Sequence, residues 1–364
     1  MKNLKFIILS IAQIIMITGI TVFAVMPFSC KVTPEGVQIV GGDYASPVME
    51  GIEVLDETSL EITFSEKVKV TGAVLSPFIE DLSDSYVHSP TQELSPALRA
   101  ASGEYGKIPV TIEPKEDGKR ILFVFEKPTV IGKSYELFAV VEDMIGNSLT
   151  FTAKFSGYNS RVPKVIMTEV QIKYESKSNK TEFIEFLALS DGNLGGLRVY
   201  SAANGVEKAY EFPPVEVKKG EIFIVHLKTF GEGCLSEEGE DLNLASQLYS
   251  VNGVRDLWSS NTESRLNKTS DVIILENKTS GKILDGMMYR GKDAEEWNSK
   301  VLLGATQLYD AGIWNSYDIE DAVLNLTGTT KSFQRVISED YDLEELHPSD
   351  MNDWICSKIM PGKL

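Results

Sequence analysis

The 364-residue sequence predicts an all-β protein: two tandem β-sandwiches behind an export segment. Three observations carry that prediction. Apolar and polar residues alternate over short runs, which is the period of a strand buried on one face. Turn-forming residues separate the runs. No long stretch of helical periodicity lies between them, so a parallel sheet bridged by helices is excluded. With 43% hydrophobic and 24% charged residues the composition is that of a globular protein, and the length calls for more than one core.

In chain order, Lys2 and Lys5 precede an apolar run from Phe6 to Val25, a basic n-region followed by an h-region. The run ends at Met26-Pro27-Phe28-Ser29-Cys30, where a small residue before a cysteine resembles the lipobox of bacterial lipoproteins. Residues 1–29 are thus read as a signal peptide and Cys30 as the lipidated residue of the mature chain. Two alternatives stay open: cleavage after Ala24, or retention of the run as a helical membrane anchor, for which roughly 20 apolar residues suffice. If lipid consumes Cys30, Cys234 and Cys356 remain as a pair that an oxidising compartment would permit to form a disulfide.

Residues 30–46 read as a polar linker, and the first sandwich spans residues 47–157. Leu60, Ile62 and Phe64 share one face of its first clear strand, Arg120 to Glu126 forms a denser apolar run, and Tyr135, Leu137, Ala139 and Val141 alternate again. Asp143 to Asn147 supplies turn chemistry before Leu149, Phe151, Ala153 and Phe155 close the pattern. The Ser, Pro and Ala-rich segment 81–106 reads as a long loop. The order of Thr63-Phe64-Ser65-Glu66-Lys67-Val68 and Asp143-Met144-Ile145-Gly146-Asn147 resembles bacterial Ig-like modules of envelope proteins, which implies a spacer or adhesive unit.

Gly157 to Pro163 is a short linker of limited flexibility, and the second sandwich spans residues 163–364. Val165-Ile166-Met167-Thr168-Glu169-Val170 followed by Thr181-Glu182-Phe183-Ile184-Glu185-Phe186 resembles the opening strands of a lamin tail domain. Leu194 to Tyr200, Glu211 to Pro214, Val217 to Val225, Ser270 to Leu275 and Gly281 to Tyr289 continue that order. Ser332 to Arg335, Asp353-Trp354 and Met360-Pro361-Gly362 complete it. The resemblance implies a lamin-tail-type sandwich with helical loop insertions near residues 229–268 and 290–328. In the second insertion Asp293 reads as an N-cap, and Trp297, Val301, Leu302, Ala305 and Leu308 recur at helical spacing. Trp258, Trp297, Tyr309 and Trp314 form the candidate interaction surface, against the plainer reading of a short helix packed on the sandwich.

The candidates for chemistry are few. His226 sits in a strand and reads as a core or edge histidine, while His88 and His347 occupy surface settings. Glu182 and Glu185 are three apart in a strand, so the pleat sends them to opposite faces, one of them as a buried structural acid. The acidic run Glu339 to Glu345 lacks the spacing and glycine of an EF-hand. No nucleophile elbow, phosphate-binding loop or zinc-protease helix occurs, so the sequence predicts no catalysis, no cofactor and no metal. A net charge of −18 repels polyanions, so nucleic acid is not the expected partner. The expected function is a membrane-anchored interaction, adhesion or scaffold protein of the bacterial cell envelope, tethered by lipid or helix. The alternative is an accessory module of an exported hydrolase of nuclease or phosphatase type.

Overall fold

The computed structural model describes residues 45–78, 106–175, 177, 179–337 and 346–364, together with the backbone of two short strands near the N-terminus. Those strands, Phe28–Thr33 (β1) and Gly36–Gly41 (β2), pair antiparallel, with Cys30 opposite Ile39. The segment read as a linker therefore contains a hairpin. The apolar export run, the loop 81–105 with His88, and the acidic residues Glu339 to Glu345 lie outside the described residues. Among the described residues no helix is long and apolar enough to cross a membrane.

The protein is all-β and divides into two compact units, one running up to Lys127 and again from Glu136 to Lys154, the other comprising Pro128–Tyr135 and Phe155–Leu364. In the first unit Met49–Asp56 (β3), Ser59–Phe64 (β4), Val110–Pro114 (β6) and Arg120–Phe125 (β7) form a four-stranded sheet in the order β3-β4-β7-β6. Lys69–Pro77 (β5), Ser134–Glu142 (β8) and Ser148–Ser156 (β9) form a three-stranded sheet in the order β5-β8-β9. The alternation predicted from sequence sets the core: Leu60, Ile62, Phe64, Ile121, Phe123, Leu137, Ala139 and Val141 are all buried. Phe64 of one sheet meets Phe151 of the other, ring centroids 5.9 Å apart. Asp143 closes the β8–β9 hairpin by accepting from the backbone N–H groups of Ile145, Gly146 and Asn147 at 2.7–2.9 Å, and Gly146 takes a positive φ there.

The second unit contains Val165–Gln171 (β10), Phe183–Ala188 (β11), Gly192–Asn193 (β12), Leu197–Ser201 (β13), Tyr210–Glu211 (β14) and Glu216–Val217 (β15). Ile222–His226 (β16), Arg255–Trp258 (β17), Asp271–Asn277 (β18), Ile283–Arg290 (β19), Val323–Leu324 (β20), Lys331–Arg335 (β21) and Trp354–Lys358 (β22) complete it. A six-stranded sheet, β17-β16-β11-β10-β21-β22, faces a five-stranded one, β14-β13-β18-β19-β20, across a continuous apolar core. The insertion 229–268 is structural, because it supplies β17, which pairs parallel with β16.

The one α-helix among the described residues, Ser299–Asp310 (α1), packs on β18 and β19 through Val301, Gly304, Ala305 and Leu308. Its N-cap is Asn298, whose side chain accepts from Lys300 N and Val301 N at 3.1 Å, and not Asp293. The helix thus begins five residues later than the acidic stretch suggests. Leu302, assigned to the apolar stripe, lies on the exposed side instead. The contact is close: a Cβ on Gly304 would stand 2.6 Å from Ala202 Cβ, and one on Gly286 of β19 would stand 2.5 Å from Leu308 Cδ2.

Candidate functional site

A sheet covered on one side leaves its other side to water, yet β10 and β11 are buried on both faces. Val165, Met167, Val170, Ile184 and Phe186 point into the apolar core. On the opposite side the outward residues include Glu169, Gln171, Glu185, His226 and Asp256, all buried. The C-terminal stretch around Met360–Gly362 and the segment before β17 reach this second layer by hydrogen bonding and packing, so charged groups that the pleat turns outward are sealed from solvent.

A bulge at Thr168 shifts the register so that Glu169 lies directly opposite Glu185. Glu185 accepts from Thr168 Oγ1 at 2.7 Å and from Gly362 N at 2.5 Å. Glu169 accepts from Met360 N at 3.1 Å and from the Ser332 hydroxyl, while its Oε2 is buried with no hydrogen-bond partner. Burial pushes the Glu185 carboxyl up to about 7, against its hydrogen bonds and helped by the Glu169 charge. Burial raises Glu169 too, so the pair holds a proton near neutrality in place of two adjacent charges. Tyr249, a non-glycine residue at φ 77°, lays its ring against Phe183 at 5.4 Å.

Next to it, His226 Nε2 lies 2.6 Å from Asp256 Oδ1, and the imidazole stacks on Trp258 at 3.9 Å. Asp256 Oδ2 also accepts from Val251 N at 3.0 Å. Burial pushes the imidazole pKa down and outweighs Asp256, which keeps the ring neutral. Glu237 ties the covering segment down by accepting from Leu244 N, Ala245 N and Asp256 N at 2.8–3.1 Å.

Elsewhere in the unit buried acids staple distant strands. Asp285 of β19 accepts two bonds from Arg335 at 2.8 and 2.9 Å and one from Met167 N at 2.6 Å, joining the two sheets. Burial raises its carboxyl pKa, and the Arg335 charge together with these hydrogen bonds opposes that. Glu182 accepts from the Ser264 hydroxyl at 2.7 Å and from the backbone of Arg265 and Leu266, and Asp271 accepts from Ser201 Oγ at 2.5 Å and Ala203 N at 3.0 Å.

Against the sequence-based sites the outcome is mixed. Glu182 and Glu185 do go to opposite sides of β11, but both are buried, not one. Cys234 and Cys356 are free thiols in separate settings: Cys234 accepts from Phe230 N, whereas Cys356 lies on β22 against the Leu324 carbonyl. The disulfide reading fails because nothing brings the two together. The Cys30 side chain lies outside the described residues. Trp258 and Trp314 are core residues and leave the interaction surface; Trp258 covers His226 and Trp314 sits under α1. Trp297 is half-buried and donates to Tyr317 O at 2.9 Å, and Tyr309 is exposed and meets Tyr317 edge-on at 5.4 Å. The Glu169, Asp285 and Arg335 roles escaped sequence reasoning, and their signal was a charge inside a run otherwise apolar on both strand faces.

These features define an all-β sandwich protein whose second unit encloses charged staples. Residues 163–356, more than half of the chain, match the model described as TP_1001_2nd, protein second domain, and the chain belongs to that family. No curated protein matches the chain. Among solved structures it is similar to the N-terminal part of the bacterial S-layer protein SbsC, at 13% identity over 67% of this chain and 43% of that one, with a TM-score of 0.24. It is also similar to a DUF4876 family protein from Bacteroides thetaiotaomicron VPI-5482, at 10% identity over 66% of this chain and 82% of that one, with a TM-score of 0.26. The chain spans less than half of the SbsC chain that it matches.

Proposed function

We propose that the protein is a non-catalytic module of the bacterial cell envelope, exported, lipid-anchored through Cys30, and used as an interaction or scaffold unit whose second sandwich is of lamin tail type. The carrying observation is how the titratable groups are employed. Glu169 and Glu185 hold the backbone of Met360 and Gly362, Glu182 holds the turn at residues 264–266, and Asp285 joins the sheets through Arg335. Acids with raised pKa values often mark catalytic sites, but here each accepts bonds from the chain itself and is buried. The order of strand motifs supports the lamin-tail reading, and the basic, apolar leader ending at Ser29-Cys30 supports the anchor.

The reactive surface in this reading is α1 and the loop after it, where Leu303 (61% exposed), Tyr309 (45%) and Tyr317 (44%) stand out beside Trp297. The test is mass spectrometry of the mature N-terminus with and without globomycin, in wild type and Cys30→Ala. A diacyl or triacyl Cys30 that disappears in the variant is the expected result; an unmodified N-terminus in wild type would overturn the anchor. Nuclease or phosphatase turnover by the purified protein, lost in Glu185→Gln, would overturn the non-catalytic reading in favour of the hydrolase alternative.

A further inference from the structure

In a chain of net charge −18, two lysines gather on one tyrosine and a third reaches the backbone of one of them. Lys268 Nζ lies 3.6 Å and Lys228 Nζ 4.2 Å from the centroid of the Tyr174 ring, and Lys173 Nζ donates to the Lys268 carbonyl. Topology brings them together. β10 and β16 both run antiparallel to β11, so their C-terminal ends share one edge, and Lys173 and Lys228 each follow a strand by two residues. Lys268 comes from the turn leading into β18 of the facing sheet.

The platform is built. Lys268 O and Thr269 O both accept from Asn325 Nδ2, at 3.1 and 2.9 Å, and Tyr289 donates its hydroxyl to the adjoining Asn267 O at 2.5 Å. Lys228 O accepts from Thr181 Oγ1 at 3.0 Å. Among the described residues none of the three ammonium groups makes an ion pair. Nearby Glu182 is buried and takes its hydrogen bonds from Ser264, Arg265 and Leu266 while sensing the Lys228 charge at longer range, and Glu175 pairs with Lys180 at 3.5 Å. Burial, and then the Lys268 charge, lower the Lys173 pKa, so these two ammonium groups repel each other across a short gap.

The geometry points to an anion-binding site formed by Lys173, Lys228 and Lys268 around Tyr174, taking a phosphate-type oxyanion. Cation–π contact with the ring holds two ammonium groups at short range, and a multiply charged oxyanion accepts from several of them at once. The site is independent of the envelope reading, since it rests on none of the leader, Cys30 or the α1 surface.

The test titrates the whole chain with inorganic phosphate, followed by amide shifts around residues 173, 228 and 268 and by calorimetry. The double variant removes two charge-assisted bonds, so Lys228→Ala/Lys268→Ala should weaken phosphate binding at least about tenfold. Lys300→Ala, on exposed α1, should leave binding unchanged, and an unaltered tryptophan spectrum will show that the double variant is folded. Two further arms name the source. Lysine-dependent sedimentation with phosphatidylglycerol vesicles but not with phosphatidylcholine alone assigns a lipid headgroup; phosphate binding without vesicle binding assigns a soluble phosphorylated ligand. No saturable shift in wild type, or equal affinity in the double variant, overturns the site.

Discussion

Strands β8 and β10 show how differently the two units are built. Along β8 the buried residues Tyr135, Leu137, Ala139 and Val141 alternate with less buried neighbours, whereas all seven residues of β10 are buried. The first unit is the plainer solution, two sheets sharing one apolar layer, with its ion pairs, such as Arg120 with Asp117, on the surface. The second unit covers its main sheet twice. The added layer must bury whatever the pleat turns outward, and here that includes Glu169, Glu185, His226 and Asp256. Burying a charge costs free energy unless it is neutralised or fully bonded, and each of these groups uses one of those routes.

The sharpest way to break this contrast is to remove one charge of a buried pair. Asp285→Ala leaves Arg335 buried without its carboxylate, and the expected loss is about 3–5 kcal/mol in the second unit. Asp117→Ala, removing the exposed partner of Arg120 in the first unit, should change little, since solvent screens that pair. All four tryptophans, Trp258, Trp297, Trp314 and Trp354, belong to the second unit, so urea unfolding followed by their fluorescence reads that unit alone. Hydrogen exchange read by peptide follows the first.

The second effect is a pH dependence confined to the double-covered sheet. The folded-state pKa of Glu185 is raised, from 4.5 to about 7, so the folded protein binds the proton more tightly than the unfolded chain. The contribution is fully present below about pH 4.5 and is lost as pH rises through 7, a span worth about 3 kcal/mol as an order of magnitude. Tryptophan-monitored stability should therefore slope downward between pH 5 and 7.5, by the arithmetic of a raised carboxyl. Glu185→Gln should flatten much of that slope. An unchanged slope in the variant would mean that Glu169 or another buried acid carries the proton.

A third test concerns the close approach of α1 to the sheet. Gly286→Ala places a methyl 2.5 Å from Leu308 Cδ2 and 2.9 Å from the Ile273 carbonyl, and since the backbone cannot yield as a side chain can, about 1–3 kcal/mol should be lost. Gly51→Ala and Gly72→Ala in the first unit meet no atom within 4 Å and serve as the contrast.

The same difference between the units explains what the sequence made legible. In the first unit alternation alone places Leu60, Ile62 and Phe64 inward, and Asp143 to Asn147 names its own turn, because the bonds of an Asx turn are local. In the second unit strand order was legible, but the second cover was not. Whether Glu169 faces water depends on a tail that lies 191 residues further along the chain. Trp258 and Trp314 were misplaced for the same reason: residues of an insertion look displayed until the insertion folds back on the sheet. The helix start was misread because Asp293 and Asn298 are both competent caps, and the choice belongs to the packing of Val301 and Leu308.

The smallest effect tests where the second unit stops being a core. Tyr309 and Leu303 are exposed on α1, so Leu303→Ser and Tyr309→Ser should shift stability by no more than about 0.5 kcal/mol. Trp258→Ala removes a buried ring stacked on His226, so it should cost about 3–5 kcal/mol. All three residues come from insertions, so unequal losses would show that burial, not position in an insertion, decides the cost. If Leu303→Ser destabilised the unit as much as Trp258→Ala, α1 would have to be buried in solution by a further surface, and the exposed face would already be an occupied interface. The discriminating measurement is then the concentration dependence of unfolding, since a self-associated face gains stability with protein concentration and a free one does not.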